Sequence, residues 1–194
     1  MLVTDPMWGL HKLLTETRSE MAERMNFEDR CLRVKREVEE MHRFFEDWFN
    51  GTLPKDDASF ARFEGSISDD FVLVEPSGAV VDRATLAERL RAAHGSWPAP
   101  VNGEPVVEIS DVRSLSHHGD TMLFAYVERQ NLEGKVTRRQ STALFRSVLK
   151  KPNRLEWLHV HETWLTPPAP QEEDPAPPPP EPRSRFSFFS RSAS

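Results

Sequence analysis

Residues 138–164 read Arg138-Arg139-Gln140-Ser141-Thr142-Ala143-Leu144-Phe145-Arg146, a turn with Lys150, Pro152 and Asn153, then Leu155-Glu156-Trp157-Leu158-His159-Val160-His161-Glu162-Thr163-Trp164. Two long runs of β-favouring residues joined by a basic Pro/Asn turn predict a β-hairpin. Upstream, two more strands are expected over 106–117 and 121–131, with turns at His118-Gly119-Asp120 and Leu132-Glu133-Gly134. The hairpin arms are expected over 135–149 and 154–165, so the carboxyl-terminal half reads as an antiparallel meander.

The amino-terminal half reads as helical. Thr4-Asp5-Pro6 is a helix start, with proline in the first turn. Met7, Leu10, Leu14 and Met21 follow at helical spacing, and Asn26 is expected to break the helix. A second stripe runs Phe27, Cys31, Val34, Val38, Met41, Phe45, Trp48 and stops at the cap pair Asn50-Gly51. A short helix through Phe60 and Phe63, a strand at Phe71-Val72-Leu73-Val74, and a helix capped by Asp82 come next. Helices first and an antiparallel meander after them define an α+β domain with its helices on one side of the sheet.

Composition sets the outer limits. The chain has 194 residues and a formal net charge of −6, without the clustered basic face that nucleic acid requires. No apolar run reaches the ~20 residues that span a bilayer, and the first residues carry no secretory pattern. The single cysteine, Cys31, forbids an intrachain disulfide and suits a cytoplasmic setting. Residues 1–29 are expected to be a helical extension and 30–165 the domain. Residues 166–194 are expected to be a Pro-rich disordered tail, whose end around Phe186, Phe188 and Phe189 could dock a protein partner.

Thr142-x-x-Phe145-Arg146, a turn, then Trp157-x-x-x-His161 resembles the last hairpin of the nuclear transport factor 2-like superfamily. Phe45-x-x-Trp48-Phe49, the strand after Asp69-Asp70-Phe71 and the helix after Val81-Asp82 fit the same order. The resemblance is to the SnoaL-like and calcium/calmodulin-dependent kinase II association-domain branches. It implies a cone-shaped α+β roll, with helices closing a curved sheet over one pocket. It also implies a homodimer formed through the outer sheet face, and a histidine, here His161, four residues after the strand-packing Trp157. The steroid-isomerase version of the fold uses a tyrosine on the first helix. The single tyrosine here, Tyr126, falls on a strand, so that mechanism does not carry over.

Period-two alternation puts Trp157, His159, His161 and Thr163 on one face of the last strand. Leu158, Val160, Glu162 and Trp164 then take the other. Tyr126 and Glu128 share a face of the middle strand, and Gln140 sits on the next. A histidine beside a carboxylate can be tuned for general acid/base work, so His161 and Glu128 are the catalytic candidates. His159, His161, Tyr126 and Gln140, with Trp48 and His42 from the long helix, are the ligand-binding candidates. His159-x-His161 has metal-ligand spacing, but a third ligand is lacking near it and no metal or cofactor is expected. Of Arg138-Arg139, one arginine should face each side of the sheet. The expected role is a homodimeric module that binds a small, partly apolar molecule or serves association. The alternative is a small isomerase, dehydratase or hydrolase.

Overall fold

The computed structural model describes residues 6–98 and 106–166, with side chains from residue 26 onward. The expectations for residues 167–194, including the docking motif, lie outside the described residues.

Helix α1 runs Pro6–Phe49 without interruption. Asn26 does not break it, because asparagine costs a helix interior only a fraction of a kcal/mol. The boundary expected after residue 29 thus falls inside one helix. The apolar stripe buries Val34, Val38, Met41, Phe44 and Trp48, and burial of each large side chain contributes roughly 1.5–3 kcal/mol. The helix ends where expected: Gly51 takes φ +75, and its N–H donates to the Trp48 carbonyl, a left-handed stop that glycine adopts without strain.

Helix α2, Asp57–Glu64, is capped by Asp56, whose carboxylate accepts from the Ser59 N–H at 2.8 Å. Helix α3, Arg83–Ala92, is capped by Asp82 in the same way. The six strands are β1 Ile67–Val74, β2 Val80–Asp82, β3 Val107–His118, β4 Thr121–Leu132, β5 Lys135–Ser147 and β6 Leu155–Thr166.

They form one sheet in the order β2-β1-β6-β5-β4-β3. β3 to β6 are the antiparallel meander expected from the sequence. β1 joins β6 in parallel, and β2 turns back on β1. The helices cover one face, and the core between them holds Phe60, Phe63, Phe124, Phe145 and Trp157.

Several register shifts bend the sheet, and two of them meet at Leu158 of β6. Along β1, the pairing jumps from Ile67↔Trp157 to Val72↔His159. Along β6, it jumps from Phe145↔Trp157 to Leu144↔His159, which leaves Leu158 as an extra residue. Such a bulge increases local twist and shifts the side-chain alternation by one.

A buried carboxylate ties the layers together. Glu37 on α1 is fully buried. It accepts from Arg62 on α2 at 3.0 Å and 3.1 Å, from Asn153 in the β5–β6 turn at 2.8 Å, and from the Trp157 indole at 2.9 Å.

Candidate functional site

The concave face of the sheet and the helices enclose a cavity of about 440 Å³. Its walls are largely apolar. Helix α1 supplies Met41, Phe45 and Phe49; β1 supplies Ile67, Phe71 and Leu73; β6 supplies Trp157, Val160 and Trp164. Helices α2 and α3 close it with Phe63, Leu86 and Leu90.

Polar groups gather at one end. Glu128 on β4 is 2 % exposed. Arg139 on β5 donates to it from Nε at 3.0 Å and from Nη2 at 2.7 Å. Gln130 donates to it at 2.6 Å. His42 on α1 places Nε2 3.2 Å from Glu128 Oε2, and its Nδ1 lies 2.7 Å from the Val38 carbonyl.

Glu162 on β6 places Oε1 3.3 Å from Arg139 Nε. The Tyr126 ring packs edge-on to His42 at 5.3 Å. Nearer the loop after β1, Glu75 also lines the cavity and is paired with Arg89 at 3.0 Å.

The two inner carboxyls are pushed in opposite directions. Burial alone would raise the pKa of Glu128, but the charges and hydrogen bonds of His42 and Arg139 outweigh it and hold the group at about 2. For Glu162 burial prevails: it raises the pKa, Glu128 adds to the rise, and Arg139 opposes it. Burial likewise pushes the Tyr126 phenol above its ordinary range. Glu128 is therefore a fixed anion and a weak base. Glu162 is the inner carboxyl whose pKa the site raises.

Of the residues expected from the sequence, Tyr126, Glu128 and His42 line the cavity. His159 and His161 do not. His161 is exposed and His159 half-buried, paired across the sheet with Thr142 and Leu144 on the face away from the helices. The bulge at Leu158 is the reason. Regular alternation groups the histidines with Trp157, but the extra residue turns Trp157 to the same side as Val160, Glu162 and Trp164. His159 and His161 are left on the opposite side from Glu128. Among the described residues, no group of three or more His, Cys, Asp or Glu is placed to hold a metal ion.

Gln140 stands on the outer face, paired with Val127 and Thr163. Trp48 is buried beside the cavity without lining it; its indole N–H donates to the Leu90 carbonyl at 2.7 Å. Val160 and Trp164, which regular alternation sets on the face opposite Trp157, line the cavity beside it. Arg138 and Arg139 divide as expected, Arg138 exposed and Arg139 inside. Glu162 was the residue missed. A signal for it existed: Trp157 and Trp164 lie seven positions apart, so a regular strand would expose one of two large indoles, and a bulge lets both be buried.

The family model for the carboxyl-terminal region of sucrose-6-phosphate phosphohydrolase matches residues 34–166. The chain belongs to this family. The match spans the stretch from the buried part of α1 to the end of β6, so the family domain is the cone with its cavity. Among curated proteins the chain is similar to the probable sucrose-phosphatase 3a of Arabidopsis thaliana, 26% identical over 149 residues. That alignment covers 77% of this chain and 34% of the plant protein, so the chain spans about a third of the length of the curated relative it matches.

Among solved structures it is similar to a nuclear transport factor 2-like protein of unknown function from Pseudomonas aeruginosa. The identity is 26%, the TM-score 0.59, and the match covers 68% of this chain and 98% of that one. It is also similar to the calcium/calmodulin-dependent kinase II hub of S. rosetta, with 13% identity, a TM-score of 0.46, and 68% and 94% of the two chains covered. The likeness to the Pseudomonas aeruginosa protein and the strand order give this chain the nuclear transport factor 2-like fold that its final hairpin resembles. No helix among the described residues is long and apolar enough to cross a membrane.

Proposed function

We propose that this chain is a small-molecule-binding module of the sucrose-6-phosphate phosphohydrolase C-terminal type. It takes a compact, partly apolar ligand into the cone and acts as a homodimer in the cytoplasm. The observation that carries the reading is the cavity itself. Its volume of about 440 Å³ lies within the ~300–1,000 Å³ of ligand pockets, and apolar walls with a few convergent polar groups are their usual lining. The Arabidopsis relative is named a probable sucrose-phosphatase. By this reading the module serves a protein of that kind as its ligand-binding part. The phosphate ester is cleaved elsewhere, because Glu128 is engaged by three side chains and held at about 2.

Homodimer formation is proposed through the outer face of β4, β5 and β6. Leu123 and Leu144 stand half-buried there as cross-strand partners, and an apolar pair at the centre of an open sheet face suits a second copy.

One observation favours a second reading. Glu162 faces the cavity with a raised pKa, the direction a general base needs. In that case the chain is a small acid/base enzyme with Glu162, in place of His161, as its proton carrier.

The binding reading is tested by calorimetric titration of the full chain with 1-naphthol, a compact aromatic alcohol. Saturable binding of one molecule per chain is expected. Leu73→Trp, which fills the cavity, should weaken it at least tenfold while the near-ultraviolet circular dichroism stays native. Absence of saturable binding to the native chain would sink the reading.

A further inference from the structure

The polar end of the cavity holds no surplus of positive charge. His42 and Arg139 face Glu128 and Glu162, so at most two cations stand against two carboxyl groups. The next charged group on the lining, Glu75, is another carboxylate, and Arg89 already neutralises it. Among the described residues Arg139 is thus the lone lysine or arginine on the lining, and two carboxylates share it.

Hydrogen-bonding capacity remains all the same. Arg139 uses Nε and Nη2 on Glu128, and Nη1 is left to donate. Glu162 contacts Arg139 through one oxygen, and its other oxygen is left to accept. A hydroxyl group both donates and accepts, so it can satisfy both sites at no cost in charge. A phosphate monoester carries about −1.5 to −2 at neutral pH. In this cavity it would stand near Glu128 and Glu162 with no cation of its own, where low dielectric strengthens repulsion and loss of water goes uncompensated.

We infer that the pocket selects an uncharged, hydroxyl-bearing ligand with an apolar body and rejects the phosphate ester of the same molecule. The inference rests on the binding reading above and gives it a direction. Water cleaves a phosphate ester to an alcohol and inorganic phosphate. A module with this preference beside a phosphohydrolase responds to the alcohol product and ignores the substrate.

Glu162 is the residue that sets the preference. The groups facing it are His42 from α1, Glu75 from the loop after β1, Tyr126 and Glu128 from β4, and Arg139 from β5. Protonation of Glu162 removes one negative charge from this set and the ester itself gains a proton near pH ~6, so rejection should relax as pH falls, and Glu162→Gln separates the two causes.

The test is a matched pair on the full chain: 1-naphthol against 1-naphthyl phosphate, by calorimetry at pH 7.5 and pH 5.5. The alcohol should bind at least tenfold tighter than the ester at pH 7.5, and the ratio should shrink at pH 5.5. Glu162→Gln, nearly isosteric, should shrink the ratio at least threefold at pH 7.5 by strengthening ester binding, with the melting temperature checked in parallel. Ester binding equal to or tighter than that of the alcohol overturns this inference and leaves the binding reading standing. A ratio that Glu162→Gln leaves unchanged at pH 7.5 overturns the role of Glu162. Failure of both probes to bind overturns the binding reading and this inference together.

Discussion

The indole N–H of Trp157 donates to a carboxylate oxygen of Glu37 at 2.9 Å, across 120 residues of sequence. One end of Trp157 is thereby anchored to α1 while its rings line the cavity. Glu37 holds Arg62 and Asn153 at the same time, so one buried carboxylate fixes helix, sheet and pocket wall together. Glu37→Gln should destabilise the domain by about 2–3 kcal/mol, because it weakens hydrogen bonds to a charged group and leaves Arg62 short of a partner. Urea unfolding checks this. A loss under about 0.5 kcal/mol, the scale of an ordinary surface change, would show that the clamp does not bear on stability.

Glu128 gives a pH prediction of definite sign. Its folded pKa, at about 2, lies below the ordinary value of 4.5. Its contribution is therefore fully present above about pH 4.5 and is lost as pH falls toward 2. Glu128→Gln should cost on the order of 3 kcal/mol at pH 7, and the gap to the native chain should narrow steadily below pH 4.5. A gap that stays constant from pH 7 to pH 3 would mean that Glu128 titrates alike in the folded and unfolded chains.

His161→Ala should leave 1-naphthol affinity within twofold of native, because His161 is exposed on the face away from the cavity. His42→Ala should weaken it more, since it removes the ring that stands 3.2 Å from Glu128 and loosens the polar end. Titration of the two variants side by side decides the matter. A larger loss from the His161 change would return the site to the outer face.

Leu144→Glu should convert a dimer to a monomer. Leu144 lies on the outer face beside Leu123, and a charge buried between two copies goes unpaired. Light scattering at micromolar concentration reads this directly. A native mass equal to one chain refutes the proposed dimer.

Much of this architecture was legible because it follows from local rules. Asp56 and Asp82 announce their helices by capping chemistry that depends on one side chain and one N–H. Gly119 and Gly134 mark the hairpin turns by their positive φ, and β3 to β6 fall within two residues of the expected bounds. The pocket was half legible. Tyr126 and Glu128 come from a strand stretch that keeps its alternation, with each residue from Thr121 to Leu132 paired in turn. His159 and His161 went to the wrong side because one extra residue, Leu158, shifts the register, and a bulge is set by tertiary packing around Trp157. Glu162 followed the same error. Its pairing with Arg139 at 3.3 Å depends on that register and on nothing adjacent in sequence.

Entry of a small molecule into the cone is read from the indole N–H signals of the tryptophans. In a 15N–1H titration of the full chain with 1-naphthol, the Trp157 and Trp164 indole resonances should move, since both side chains line the cavity. The Trp48 indole, bonded to the Leu90 carbonyl and off the lining, should stay nearly fixed, as should the backbone signals of His159 and His161. Shifts confined to the outer face, with Trp157 and Trp164 unmoved at saturating probe, would contradict the account.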